Sequence, residues 1–437
     1  MGWLLRGYAT RRWVAALRSL VPLIPVLGVC AWVTLSPPYS ANPPIRADGY
    51  GYYAWTPAIL HANFNFCEWS AYLNIEDAIS AQRGNRCENK YPPGLAVLRF
   101  PVMGTVAALT NHAPASQLYI GSDEEKASQW LSVFTLLLTL GLMHLTMRRL
   151  GVTAVVADCV ALAACWGTGL FHYATYDSAY TAVYSATLFA AVLYVGVRAV
   201  QRARPPNVLV TFGLALFITW IREPDAAPLL VMVAAWGVWW YRSVPPAERR
   251  RGVLRVIVPV VAAVVLVEAF QVFYNHWSAG VWSLSSYGAE PFSLGQGDEL
   301  KVLISANHGL FSWYPVAFVA LALALWRRPS RNWGFTALAV IGVLTVVYGS
   351  WNPWFLGGSM GARGFVDVVP LIAVAGAVAV PSLEVRGRVI LFPVAVVLTL
   401  VTVELMSGYW TGFLPDEYST YHDLLHAVVG HGSFFFG

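Results

Sequence analysis

Asp48 lies in the run Ala47-Asp48-Gly49-Tyr50-Gly51-Tyr52-Tyr53-Ala54-Trp55, a single carboxylate among aromatics directly after the first long apolar segment. A carboxylate in such a setting can take a proton from a hydroxyl, which is general-base chemistry. Three basic residues stand in comparable settings. Lys90 is in Asn89-Lys90-Tyr91-Pro92-Pro93-Gly94, Arg222 in Ile221-Arg222-Glu223-Pro224-Asp225, and Arg363 follows Gly357-Gly358-Ser359-Met360-Gly361-Ala362. Each can neutralise a phosphate or diphosphate, and Arg363 is best suited, because bare backbone beside a planar guanidinium leaves room for an anion. Tyr50, Tyr52, Tyr53, Tyr91, Tyr173 and Trp313 offer flat faces that suit a sugar ring. His172, Asp177, Glu223 and His308 supply polar groups around them.

Each of these residues also has a purely structural explanation. Tyr and Trp at span ends commonly form the interfacial belt of a membrane protein. Arg222 can snorkel and pair with Glu223 or Asp225. His172 and His308 fit as loop histidines, and Asp48 can cap a helix that starts near Tyr50.

Composition sets the frame in which these residues must work. Hydrophobic residues make up 57% of the 437 and charged residues only 12%. Apolar runs of about twenty residues recur throughout, the mark of a polytopic all-α membrane protein. The formal charge of +5 does not point to nucleic acid, because the basic residues sit in short clusters between apolar runs and form no stripe. No Cys/His spacing suggests zinc, and there is no Gly-rich phosphate loop, no GxSxG elbow and no internal repeat.

Those basic clusters orient the chain. Of the 28 Lys and Arg, 19 fall at the amino terminus (Arg6, Arg11, Arg12, Arg18) or in turns around Arg148, Arg198 to Arg204, Arg242 to Arg255, Arg327 to Arg331 and Arg386 to Arg388. The positive-inside rule puts these on the cytoplasmic side. Spans are then expected near 13–35, 128–147, 152–170, 179–200, 207–222, 226–242, 255–275, 309–326, 333–351, 364–381 and 389–407. That is about eleven transmembrane helices, with the amino terminus inside and a short extracytoplasmic tail over 408–437. The first segment reads as an uncleaved signal anchor, since no convincing cleavage site follows it. Gly94 to Leu109 does not fit the alternation and is broken by Arg99 and Pro101, so it is expected as an amphipathic or re-entrant helix on the outer face. The first outer loop is then long, 36–129. It holds Cys67 and Cys87, 20 positions apart, in a compartment that permits disulfides, and a bridge is expected there.

With the chain so oriented, the clusters around Asp48, Lys90, His172, Arg222, His308 and Arg363 all collect on the outer face. A base, a phosphate clamp and an aromatic platform beside lipid describe glycosyl transfer from a lipid-linked sugar phosphate.

The ordered motifs Asp48-Gly49-Tyr50-x-Tyr52-Tyr53, Lys90-Tyr91-Pro92-Pro93-Gly94, Gly167-Thr168-x-Leu170-Phe171-x-Tyr173-Ala174-Thr175, His308-Gly309-Leu310-Phe311-Ser312-Trp313 and Gly357-Gly358-Ser359-x-Gly361-x-Arg363 resemble those of bacterial integral-membrane glycosyltransferases of the GT-C superfamily. That group includes protein mannosyltransferases and the aminoarabinose transferase of lipid A, and the resemblance runs from Trp13 to about Pro381. It implies a GT-C-like transmembrane domain over 1–407, with a catalytic Asp and two membrane-parallel helices in the first outer loop. It also implies a donor-phosphate contact at Lys90. Relatives often carry two adjacent acids after the first span. Here Gly49 follows Asp48, so a second acid must come from elsewhere, Glu88 or Asp177 being the expected source; whether a divalent cation binds is left open, with Asp48, Glu88 or Asp177 its expected ligands.

The resulting expectation is an inverting, polyprenyl-phosphate-sugar-dependent glycosyltransferase at the outer face of a bacterial plasma membrane, serving cell-envelope biogenesis. Its partners are the lipid-linked donor, a glycan, lipid or protein acceptor, and the bilayer, with no nucleic acid. Asp48 is the base. Lys90, Arg222 and Arg363 bind phosphate, and the aromatics with His172 and His308 shape the sugar and acceptor sites. The rival readings are a lipid or polysaccharide transporter or flippase, whose intramembrane charges would mark a pathway, and a non-catalytic envelope scaffold. Only Asp158 and Glu268 fall well inside expected spans, which favours a surface site.

Overall fold

The computed structural model describes residues 23–35, 44–70, 79–110, 120–285, 287, 290, 292–295 and 297–430. Arg6, Arg11, Arg12, Arg18 and the start of the first expected span lie outside the described residues, as does the end of the tail. The elements, in order, are α1 (Leu23–Leu35), α2 (Asp48–Leu60), α3 (Phe66–Ser70), β1 (Ile79–Arg83), β2 (Arg86–Asn89), α4 (Gly94–Leu109) and α5 (Ser122–Arg149). Then come α6 (Ala154–Trp166), α7 (Leu170–Thr175), α8 (Ala182–Gln201), α9 (Val208–Ile221), a 3-10 turn (Glu223–Asp225), α10 (Ala226–Ser243) and α11 (Pro246–Ala279). The chain closes with α12 (Glu299–Ile304), α13 (Leu310–Trp313), α14 (Pro315–Trp326), α15 (Arg331–Gly349), α16 (Arg363–Val366), α17 (Val369–Ala379), α18 (Val385–Trp410) and α19 (Tyr421–Val429). Among the described residues the β1–β2 hairpin is the one sheet.

This is an all-α, membrane-embedded architecture. Among the described residues five helices are long and apolar enough to cross a bilayer: Ser122–Arg149, Ala182–Gln201, Pro246–Ala279, Arg328–Gly349 and Val385–Trp410. Ala226–Ser243 is an 18-residue helix, and other apolar runs fold as shorter helices of 10–17 residues, among them Ala154–Trp166, Val208–Ile221, Pro315–Trp326 and Val369–Ser382. At 1.5 Å per residue a 13-residue helix covers only about 20 Å of a roughly 30 Å hydrocarbon core.

The reason lies in the residues that end these helices. Gly167 to Gly169 breaks the run expected over 152–170, Pro224 follows Ile221, Pro315 separates α13 from α14, and Asp367 with Val368 separates α16 from α17. Helices expected to be continuous therefore stop short on one side, and their loop-and-turn ends supply polar side chains.

The described residues of the segment expected as the first outer loop are folded. Its helix α2 packs against α4, and α4 against α5 and α9. Arg99, which interrupts the apolar run of α4, is buried, donates to Ser128 Oγ and lies over the Tyr184 ring at 5.4 Å. Its charge thus faces protein, as an ionisable group in an apolar environment requires. Cys67 and Cys87 are joined, tying α3 to β2 across a separation of 20 residues.

Candidate active site

Asp48 is the first residue of α2, and its carboxylate does not cap the helix. Ala47 is the N-cap, with no side-chain capping bond. The Asp48 side chain instead turns across the fold, where Oδ1 accepts from the Tyr91 hydroxyl at 2.7 Å and Oδ2 from Arg363 Nη1 at 2.6 Å. Ala47 itself has φ 44°. A non-glycine residue in that region costs about 1–3 kcal/mol and persists only where the surroundings hold it.

Arg363 is brought to Asp48 by a loop that its neighbours pin in place. Arg363 Nη2 donates to the Leu356 carbonyl, and Leu356 also has a positive φ, 64°. Both the Tyr173 and the Tyr314 hydroxyls donate to the Met360 carbonyl, at 3.1 Å and 3.0 Å. Gly361 has φ +59°, and a Cβ there would come within 2.9 Å of the Tyr314 hydroxyl oxygen, so the turn needs glycine. His308 Nε2 is 2.6 Å from the Ser359 carbonyl, to which a neutral imidazole donates. Burial, with the Arg363 charge adding to it, pushes His308 down to about 4, so the ring is neutral.

Lys90 sits just past β2. Asn89 anchors that strand end to α2 through Nδ2, which donates to the Gly51 carbonyl at 2.8 Å, and Trp55 Nε1 donates to the Tyr91 carbonyl at 2.7 Å. Lys90 Nζ donates to Glu290 Oε1 at 2.9 Å, while Glu290 Oε2 accepts from Trp351 Nε1 at 2.7 Å. The following Gly94 lies so close to α9 that a Cβ would be 2.3 Å from the Trp220 carbonyl oxygen. That contact sets the Lys90 segment beside Arg222. Arg222 pairs with Asp367 at 2.7 Å rather than with Glu223 or Asp225, and it lies over the Tyr348 ring at 5.4 Å.

These groups share one pocket of about 190 Å³, lined by Asp48, Tyr52, Lys90, Tyr91 and Tyr173 together with Arg222, Glu223 and Arg363. Tyr180, Tyr287, Tyr348 and Trp351 extend its aromatic wall. Each of the three basic side chains meets a carboxylate, Lys90 that of Glu290, Arg222 that of Asp367 behind the pocket wall, and Arg363 that of Asp48, so none of the three is left without a counter-charge. Glu223 is a different kind of acid. Its Oε1 is buried without a hydrogen-bond partner. Burial first, then the nearby charges of Glu268 and Glu88, push its carboxyl up to about 8.

Other residues singled out in the sequence are not on the pocket wall. Tyr53 is buried behind α2, and Tyr50 is half-buried on the same helix. Trp313 is fully buried, with Nε1 donating to the Ala306 carbonyl at 2.8 Å. His172 and Asp177 form a closed buried network. Trp410 Nε1 donates to His172 Nδ1 at 2.8 Å, which leaves the ring proton on Nε2 to donate to Asp177 Oδ2 at 2.8 Å. Asp177 Oδ1 accepts from Arg46 Nε at 2.8 Å. Burial raises the Asp177 carboxyl, but His172 and Arg46 outweigh it and hold it below the usual range. The network fixes Arg46, two residues before Asp48, to α7 and α18, so His172 and Asp177 support the site from behind. Among the described residues no three His, Cys, Asp or Glu side chains gather so as to hold a metal ion, and Asp48 and Asp177 already spend their oxygens on Tyr91, Arg363, His172 and Arg46.

Sequence reasoning passed over Arg46, Tyr287, Glu290, Tyr348, Trp351 and Asp367. Trp351 and Glu290 lie in connections that the basic clusters lead one to expect on the outer side, where the same face argument reaches them. Asp367 carries no local signal, being one acid in an apolar run. Comparison with family models, curated proteins and solved structures yields no match for this chain.

Proposed function

We propose that the protein is a GT-C-like inverting glycosyltransferase that takes a sugar from a polyprenyl-phosphate donor and passes it to a glycan, lipid or protein acceptor of the cell envelope. In this reading the long and the shorter apolar helices together make about eleven crossings of a bacterial plasma membrane. The amino terminus is cytoplasmic and the pocket opens on the outer face. The observation that carries the proposal is the joint lining of one aromatic pocket by Asp48, Lys90, Arg222 and Arg363.

The donor phosphate exchanges with the carboxylates that hold the basic side chains in the free protein, and Arg363 passes from Asp48 to phosphate. Asp48 is thereby released from its cation and becomes available to the acceptor. The acceptor oxygen attacks the anomeric carbon, its proton goes to Asp48, and the carbon–oxygen bond to phosphate breaks with the electron pair leaving on phosphate. Guanidinium and ammonium groups stabilise the charge that develops there. Tyr52, Tyr91 and Tyr173 form the platform for the sugar ring.

The test is transfer from a panel of radiolabelled polyprenyl-phosphate sugars to membrane lipids and envelope glycans by the purified protein. Label in an acceptor, lost in Asp48→Asn, supports the proposal. Donor bound but moved intact across a proteoliposome membrane would replace it with the transporter reading, and a folded protein that binds no donor would sink both.

A further inference from the structure

Away from the pocket, α18 is buried at one end and bare at the other. Its residues Thr402 to Trp410 are largely buried, whereas Val385, Val389 and Phe392 are exposed. Pro393 interrupts its hydrogen-bond ladder between the two parts. At the buried end the helices close up: a Cβ on Gly167 would lie 2.7 Å from Val316 and 3.2 Å from Thr399. Toward the other end a groove of about 300 Å³ opens between α6, α14, α17 and α18. Small residues such as Ala163, Ala320 and Gly376 line it among Val, Leu and Ile side chains, and Gly376 packs so near Ala320 that an added Cβ would lie 2.9 Å from the Ala320 Cβ. The groove follows α6 from Val155 to Thr168. That is about 20 Å at the helical rise, longer than one leaflet of about 15 Å.

The chemistry of the lining is one-sided. Thr168 closes the end nearer the site, its hydroxyl already donating to the Ala164 carbonyl at 2.6 Å. Arg388 is the one charged residue among those that line the groove, and it stands at the open, bare end of α18. Its Nε donates to the Leu383 carbonyl at 3.1 Å, and it has no carboxylate partner among the described residues. Arg386 is exposed beside it. Water does not fill an apolar groove of this kind, since it finds no polar partners there. An occupant must be apolar along its length and anionic at one end.

The geometry points to a structural lipid site in this groove, occupied by one acyl chain of an anionic phospholipid whose headgroup phosphate pairs with Arg388. The site stands apart from the proposed transfer reaction. It places a bound lipid against α6 and α18, the helices that lead to the Gly167 turn and to Trp410, behind the pocket.

Cys159 gives the site a native reporter. It lines the groove and is half-buried, whereas Cys30 and Cys165 are fully buried and Cys67 and Cys87 are joined. The full chain, delipidated and exchanged into nanodiscs of phosphatidylcholine alone or with phosphatidylglycerol, is assayed by native mass spectrometry and by N-ethylmaleimide modification of Cys159. The expected result is one retained phosphatidylglycerol and slower Cys159 modification in its presence. Arg388→Gln should weaken retention about tenfold, the loss of one charge-assisted contact. Arg388→Lys should keep most of it, and Ala163→Phe should abolish it by filling the groove. Equal retention by wild type and Arg388→Gln, equal Cys159 modification in the two nanodiscs, or preferential retention of added oleate would overturn the proposal. Should Arg388→Gln fail to fold, the wild-type and Arg388→Lys measurements decide it alone.

Discussion

Arg363 and Asp48 lie 315 residues apart in the chain, yet Nη1 of one and Oδ2 of the other are 2.6 Å apart at the wall of the pocket. The pair is partly exposed, at 17% and 25% for the two side chains, so solvent screens it and a ligand can reach it. In the proposed reaction it makes the free protein a resting form in which the proposed base and the phosphate-binding cation hold each other. Five expectations follow from that arrangement and from the fold around it.

Asp48→Asn keeps the shape of the side chain and removes its basicity. Turnover should fall by about two to four orders of magnitude, the usual cost of a lost general base. Donor binding should not weaken, because Arg363 loses a competing carboxylate. Near-wild-type turnover in a folded variant, measured with saturating donor, would remove Asp48 from the mechanism.

Arg363→Lys retains a charge but not the fork that reaches both Asp48 and the Leu356 carbonyl. Donor affinity should drop by about 1.5 kcal/mol or more, the low end for a charge-assisted hydrogen bond. Equilibrium binding of a fluorescent polyprenyl phosphate checks this. An unchanged dissociation constant would mean that Lys90 and Arg222 bind the phosphate without it.

Glu223 should make stability depend on pH. Its folded value, about 8, stands above its ordinary value of 4.5, so the folded state holds a proton that the unfolded state gives up. The stabilisation is therefore complete below about 4.5 and is lost as pH rises to about 8. Thermal midpoints measured across that window should decline more steeply in wild type than in Glu223→Gln. Parallel curves would show that Glu223 ionises normally.

Cys67→Ser should lower stability by about 3 kcal/mol, the chain-entropy value for a closed loop of this length. Neither sulfur is on the pocket wall, so transfer should persist at temperatures where the variant is folded. Loss of transfer with an unchanged unfolding midpoint would give the bridge a different role.

Topology is testable by single cysteines in a background lacking free native thiols. Positions Ala47 and Gly121 should react with an impermeant reagent on intact spheroplasts, and Ala203 only after permeabilisation. Labelling of Gly121 only after permeabilisation would mean that Gly94–Leu109 crosses the membrane.

The sequence by itself determined that this is a helical membrane protein and singled out several of the residues that line the pocket. Apolar runs with basic turns between them dictate helices in a bilayer, because unsatisfied backbone cannot face lipid. The polar residues that interrupt those runs had to meet protein or solvent. Hence Asp48, Lys90, Arg222 and Arg363 could be picked from the sequence, and the structure brings all four to one pocket. Which charge meets which was decided only by the tertiary fold. Arg222 is beside Glu223 in the chain, but the turn directs it to Asp367, 145 residues away. Lys90 finds Glu290 at a separation of 200. His172 and Asp177 have the types expected of a site and are instead locked to Trp410 and Arg46. Helix lengths, too, depended on where glycine, proline and ion pairs end each run, so spans that looked continuous became short helices with polar ends. Local pattern specifies that a side chain is charged and near a helix end. Its partner is set by how helices far apart in sequence pack, and no local pattern contains that packing.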